Sequence, residues 1–340
     1  MSEYAIIAPI LLLSFLICMM ITKFLVVFFP RLGLVDNPNA RKIHKGSIPT
    51  GGGVAVVISF LLGLILIDYK LYDFYYSPYL GPAIIALALV SFYDDIRDTG
   101  VALRLIMHIV ISAYLAYKFL LPYQLFHGEL GFYADYILAF IALAGFCNIY
   151  NFMDGIDGIT GAESIHLSLT IMLLCILRYD VIIHADLVLL IAALVLACSI
   201  AFVIYNWHPA HIFIGDVGAI SIGMLLGLCL MLIAASSARL FVSAIIAAFY
   251  YLGDGGGTIL IRMLKGEKIW RPHVNHFFQQ AIRKNIPRKN IVIEIAICNY
   301  WLMLLSISAL YYPLISFFLA IALVVRILLR FSEKGQKSES

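Results

Sequence analysis

The chain has 340 residues, of which 63% are hydrophobic and 13% charged, and its mean hydropathy is +0.99. A soluble domain carries about a quarter charged residues, so this composition excludes a water-soluble fold and implies a chain solvated mainly by lipid. The formal net charge of +3 is weakly informative, and no nucleic-acid partner is expected.

In chain order, apolar stretches able to cross about 30 Å of hydrocarbon occur near residues 4–29, 51–67, 79–93, 102–120, 132–150, 161–177, 181–205, 217–235, 238–253, 291–310 and 312–330. They predict an all-α polytopic membrane protein with 10–11 transmembrane helices. The first stretch is longer than a signal-peptide core and lacks a small-residue cleavage site, so it is read as a retained helix. No internal repeat or linker divides the chain, which predicts one integral-membrane domain over 1–330 and a polar, disordered cytoplasmic tail over 331–340. Six cysteines lie in or beside apolar stretches without CxxC spacing, which argues for packing rather than disulfides or zinc.

Lysine and arginine set the orientation, because short cytoplasmic loops retain positive charge. With the N-terminus outside, the inward loops hold 18 of these residues and the outward loops four. Five unusual segments then fall on the cytoplasmic side: DNPNARKIHKGSIPTGGG, SFYDDIRD, NIYNFMDGIDG, NWHPAHIFIGDVG and KIWRPHVNHFFQQ. All five are read as loops, and the largest polar connection runs over 254–290.

Asp94, Asp95, Asp98, Asp154, Asp157 and Asp216 are costly to gather at a membrane boundary unless a cation neutralises them. Each alone reads equally well as a helix cap in a solvated loop; three such segments on one face favour Mg2+ or Mn2+, held by oxygen ligands and shared with a substrate phosphate. PTGGG at a helix start offers backbone N–H groups to an anion, although such glycines often serve only turns or packing. Arg41, Lys42, His44, Lys45 and Arg104 add positive charge that the inside-positive bias also explains. Arg271, His273 and His276 suit a diphosphate, while a lone surface histidine pair is more often incidental.

YDDIRD, NxxNFMDGIDG, NWHPAHIFIGDVG and a basic HxxH loop, in this order, resemble the polyprenyl-phosphate N-acetylhexosamine-1-phosphate transferases, the MraY/WecA family. The RPHVNHFFQ segment is closer to the WbpL- and WecA-like enzymes that initiate surface polysaccharides than to the peptidoglycan enzyme, which has three consecutive histidines. The resemblance implies a metal and catalytic core of Asn151, Asp157 and Asp216, with Asp94 and Asp95 acting as base or organising the lipid phosphate. It further implies that Lys45 and Arg104 bind substrate phosphates, that Asn206 and Phe213 line the nucleotide pocket, and that Arg271, His273 and His276 contact the sugar diphosphate. Asn275, where relatives often carry histidine, and Gly255 to Gly257 depart from the pattern.

The implied reaction joins a UDP-N-acetylhexosamine to polyprenyl (undecaprenyl) phosphate with release of UMP, in a bacterial cytoplasmic (inner) membrane, as the first membrane step of O-antigen or other surface polysaccharide synthesis. A homodimer is compatible with the sequence. Two competing readings are a Mg2+-dependent intramembrane prenyltransferase, which also uses paired aspartate-rich loops, and an ion-coupled secondary transporter. The transporter would call for mid-helix charges and repeated halves.

Overall fold

The computed structural model describes residues 4–36, 47–97, 100–268 and 274–332. The chain opens with α1 (Tyr4–Phe28), which tightens into a 3-10 turn over Phe29–Leu32. A short antiparallel hairpin follows, β1 (Val35–Asp36) with β2 (Ile48–Pro49), Val35 facing Pro49 across it. Then come α2 (Gly53–Leu71), α3 (Ser77–Arg97), α4 (Val101–Phe119), α5 (Phe132–Phe152), α6 (Ile159–Leu177), α7 (Ala185–Asn206) and α8 (Gly215–Ser236). A broken segment comprises α9 (Ala238–Ala247), α10 (Phe249–Tyr251), a π-helical turn (Leu252–Gly256) and α11 (Gly257–Leu264). The chain closes with α12 (Phe277–Arg283), α13 (Arg288–Ser308) and α14 (Pro313–Ser332).

Among the described residues, ten helices are long and apolar enough to cross a membrane, and the broken segment counts as an eleventh if taken as one span. The stretch expected near 238–253 is bent by 65° at its break and continues to Leu264. The cause is local. His166 of α6 donates through Nε2 to the carbonyl of Ala247 at 3.0 Å, taking an acceptor from the helical ladder at the break. The π turn in LGDGG follows within a few residues.

Two segments expected as loops are helical. SFYDDIR forms the end of α3 and NIYNF the end of α5, because neither contains a glycine or proline to stop the helix. Helix α14 runs on through Phe331 and Ser332, beyond the expected boundary, and the tail expected to be disordered lies outside the described residues from 333 onward.

Helix α8 is the axis of the bundle: 94% of its span is buried, against 22% for the peripheral α1. Helices α2, α3, α5, α6, α7 and α9 all pack on it. Lipid gives helices no hydrophobic reason to associate, so close backbone approach has to do the work. Gly53 and Gly218 supply it between α2 and α8; a Cβ on Gly53 would lie 2.1 Å from the Gly218 nitrogen. Beside that contact the main chain is stitched, with Gly52 N–H donating to Phe213 O (2.9 Å), Gly53 N–H to Ile214 O (2.7 Å) and Phe213 N–H to Pro49 O (2.8 Å). The turn before α2 is thereby locked to the turn before α8.

Exposed Tyr69, Tyr75, Tyr117, Tyr123, Tyr133, Tyr179, Tyr311 and Tyr312 all lie where α2, α4, α6 and α13 end or their successors begin. That is an aromatic belt at one interface. The candidate site lies at the other end of the bundle.

Candidate active site

A cavity of about 480 Å³ opens where α3, α5 and α7 end and α6, α8 and α13 begin, within the size range of small-molecule sites. Asp36, Asp95, Asp154, Asp157 and Asp216 line it, together with Asn206, Phe213, Gln279 and Arg288. Five carboxylates around one cavity make a site that favours cations or ligands carrying them.

Asp216 sits on the first turn of α8, where the helix dipole favours a negative charge. Arg104 of α4 pairs with it and, through Nε, with Asp94 Oδ2 at 3.2 Å. The arginine assigned by resemblance to a substrate diphosphate is thus held between two aspartates, and it does not line the cavity. The adjacent pair divides. Asp94 is buried against Arg104 while Asp95 faces the cavity, because successive helical residues point about 100° apart.

Asp157 is 4% exposed; its Oδ2 accepts from His208 Nδ1 at 2.7 Å and from the Ala210 N–H at 3.3 Å. Its Oδ1 lies 3.8 Å from Arg288 Nη1. Asp154 accepts from the Thr160 hydroxyl at 2.6 Å. Burial pushes the Asp154 carboxyl up to about 7, the Thr160 bond opposing that rise and the charge of Asp216 adding to it.

Asn206 lines the cavity with both ends of its amide engaged. Oδ1 accepts from Gly158 N–H at 3.0 Å and Nδ2 donates to Ile212 O at 2.9 Å, tying the two carboxylate-bearing turns together. Phe213 brings an aromatic face to the same wall. Asn151 is on the last turn of α5 and does not line the cavity.

His276 and the start of α12 are held from behind by Asp254, which is fully buried in the π turn. Asp254 accepts from Phe277 N–H (2.8 Å), Phe278 N–H (3.0 Å) and the Tyr250 hydroxyl (3.2 Å), and His276 Nδ1 approaches it at 3.4 Å. Two of the orphan donors at the start of α12 are satisfied this way. His276 is 2% exposed and turned toward Asp254, so it does not line the cavity. Phe278 packs under Gly155, where a Cβ would come within 2.7 Å of its ring, which seats α12 against the NFMDGIDG turn.

Of the residues singled out from sequence, the structure gathers Asp95, Asp154, Asp157, Asp216, Asn206 and Phe213 in one cavity. Asp94 and Arg104 stand directly behind them, paired with each other. Lys45, Arg271 and His273 lie outside the described residues. Sequence reasoning missed His208, Gln279, Arg288 and the anchor Asp254. His208 was visible only as part of the NWHPAH string, and Arg288 had the look of ordinary inside-positive charge.

The fold and its acidic, helix-end cavity define a polytopic membrane enzyme, and comparison with known proteins agrees. The sequence profile of glycosyl transferase family 4 matches residues 77–235. The chain is similar to a probable undecaprenyl-phosphate N-acetylglucosaminyl 1-phosphate transferase of Bacillus subtilis (strain 168), 26% identical over 309 residues that cover 88% of this chain and 83% of the relative. It is also similar to the phospho-N-acetylmuramoyl-pentapeptide-transferase of Chlamydia muridarum (strain MoPn / Nigg), 30% identical over 230 residues that cover 60% of this chain and 68% of the relative. The chain belongs to glycosyl transferase family 4, in its MraY/WecA branch, and is a membrane-embedded glycosyl-1-phosphate transferase. Family membership sets aside the prenyltransferase and transporter readings.

Proposed function

We propose that the chain is a single membrane domain that transfers an N-acetylhexosamine-1-phosphate from a UDP-sugar to undecaprenyl phosphate, on the cytoplasmic face of a bacterial inner membrane. The reading rests above all on one observation: a cavity at the helix ends that holds five carboxylates, an aromatic wall residue and an arginine. A lipid phosphate oxygen attacks the β-phosphorus of the donor, the phosphoanhydride bond breaks, and UMP leaves with the bonding electron pair.

The donor set fits a magnesium or manganese ion. Its groups are oxygens, and Mg2+ needs only one or two protein carboxylates beside water and phosphate. Asp157 and Asp216, which line the cavity, are its proposed ligands; bound there, the ion would neutralise the donor diphosphate. Asp95 faces the lipid phosphate, whose second pKa of about 6 leaves it mostly dianionic, so a base adds little. Phe213 stacks on the nucleobase, Asn206 holds the two turns in register, and Lys45, Arg271 and His273 supply phosphate contacts.

The test is UMP release from purified protein given undecaprenyl phosphate, Mg2+ and a panel of UDP-sugars. Turnover is expected with a simple UDP-N-acetylhexosamine in preference to UDP-MurNAc-pentapeptide, because HVNH stands where the peptide-using enzymes have three histidines. The opposite preference would overturn the donor assignment, and silence with every donor the whole reading. The product would feed surface-polysaccharide assembly.

Orientation has its own test. Lys268→Cys is expected to resist an impermeant maleimide in intact cells and to label after lysis. The six native cysteines are all buried, so the signal is readable against them. Labelling in intact cells would invert the topology.

A further inference from the structure

An anionic donor entering a cavity lined by five aspartates needs positive charge that is not already spent. Arg104 is engaged by Asp94 and Asp216. Among the described residues lining the cavity, Arg288 is the one cationic side chain. It occupies the first position of α13, a 21-residue helix whose start carries no side-chain cap, so helix dipole and guanidinium point positive charge the same way. Its contact with Asp157, 3.8 Å from Nη1 to Oδ1, is too long for a hydrogen bond, and the other carboxylate oxygen is already taken by His208 and Ala210. The Arg288 side chain is 18% exposed, partly shielded, and it lines the cavity. A planar fork of donors, loosely held at an acidic wall, is suited to bidentate capture of phosphate oxygens.

We propose that Arg288 is a substrate-binding residue that takes a phosphate group of one of the two substrates, exchanging its loose contact with Asp157 for charged hydrogen bonds to phosphate oxygens. This assignment rests on the transferase reading above. Gln279, whose Oε1 is fixed by the His276 N–H at 3.2 Å, borders the same space and limits how far the phosphate can shift.

The experiment compares wild type with Arg288→Gln and Arg288→Lys in two arms. In the first, UMP release is measured against donor and against undecaprenyl phosphate separately. Arg288→Gln is expected to raise the KM of one substrate about tenfold or more, with Lys recovering part of the loss. The substrate affected identifies whether diphosphate or lipid monophosphate is held. In the second arm, the thermal shift given by Mg2+ with inorganic pyrophosphate, or with inorganic phosphate, is measured without turnover. Wild type is expected to be stabilised by one probe and Arg288→Gln much less. Unchanged KM values with a lowered kcat would mean that Arg288 only positions Asp157 and would overturn the proposal. So would equal shifts in wild type and variant, or no shift in wild type. Absence of UMP release from wild type would defeat the transferase reading alone, since the second arm still reads the arginine.

Discussion

Replacing Asp216 with asparagine is expected to slow UMP release by about a hundredfold or more, on the order of 3 kcal/mol of transition-state stabilisation. The substitution keeps the shape of the first turn of α8 and removes one negative charge from the cavity wall. Arg104 retains Asp94 at 3.2 Å, so its own charge stays compensated and the fold should persist. With fewer carboxylates facing each other, thermal stability should hold or rise slightly. The measurement is UMP release against Mg2+ concentration for wild type and Asp216→Asn in matched detergent preparations, where the variant should need more metal. Normal turnover with an unchanged magnesium requirement would remove Asp216 from the site.

Asp254→Ala should abolish activity by a different route. Its carboxylate is fully buried and satisfies the N–H groups of Phe277 and Phe278 and the Tyr250 hydroxyl. Each buried donor left without a partner costs about 1–3 kcal/mol, so the loss should total several kcal/mol, concentrated on the seat of α12. The expected result is faster amide exchange and proteolysis over residues 274–285, a lower Tm and little or no UMP release. Asp254→Asn, with one acceptor oxygen instead of two, should fall between. If Asp254→Ala kept protection over 274–285 and lost only turnover, Asp254 would be acting on substrate and not as an anchor.

The spans were legible because lipid demands about twenty apolar residues in a row, and nothing else in a sequence looks like that. The acidic turns were legible because aspartate is rare in such a chain. What stayed hidden was pairing between distant positions. Asp94 and Asp95 read as a unit in sequence; recognising their segment as helix is what sends one to Arg104 and the other to the cavity. His276 had the chemistry of a phosphate ligand, but its burial against Asp254 depends on a turn 22 residues earlier. Arg288 was one of eight cations between 262 and 289, and only the place where α13 begins sets it apart. The break at Ala248 lay in an unbroken apolar run, and the histidine that captures the Ala247 carbonyl is 81 residues away.

The main-chain stitch between residues 49–53 and 213–214 also governs when the enzyme can exist. At about 5–20 residues per second, a ribosome needs roughly 10–30 s after making the first strand of that stitch to make the second. By the end of that interval seven helices have been made, and throughout it the turn carrying Gly52 and Gly53 has donors without their acceptors. Asp95, Asp154 and Asp157 have been made by then, but the mouth that collects them cannot close. The nascent chain is therefore catalytically silent until α8 threads the centre of the bundle, and a product truncated before Phe213 would present exposed polar backbone for membrane quality control to recognise.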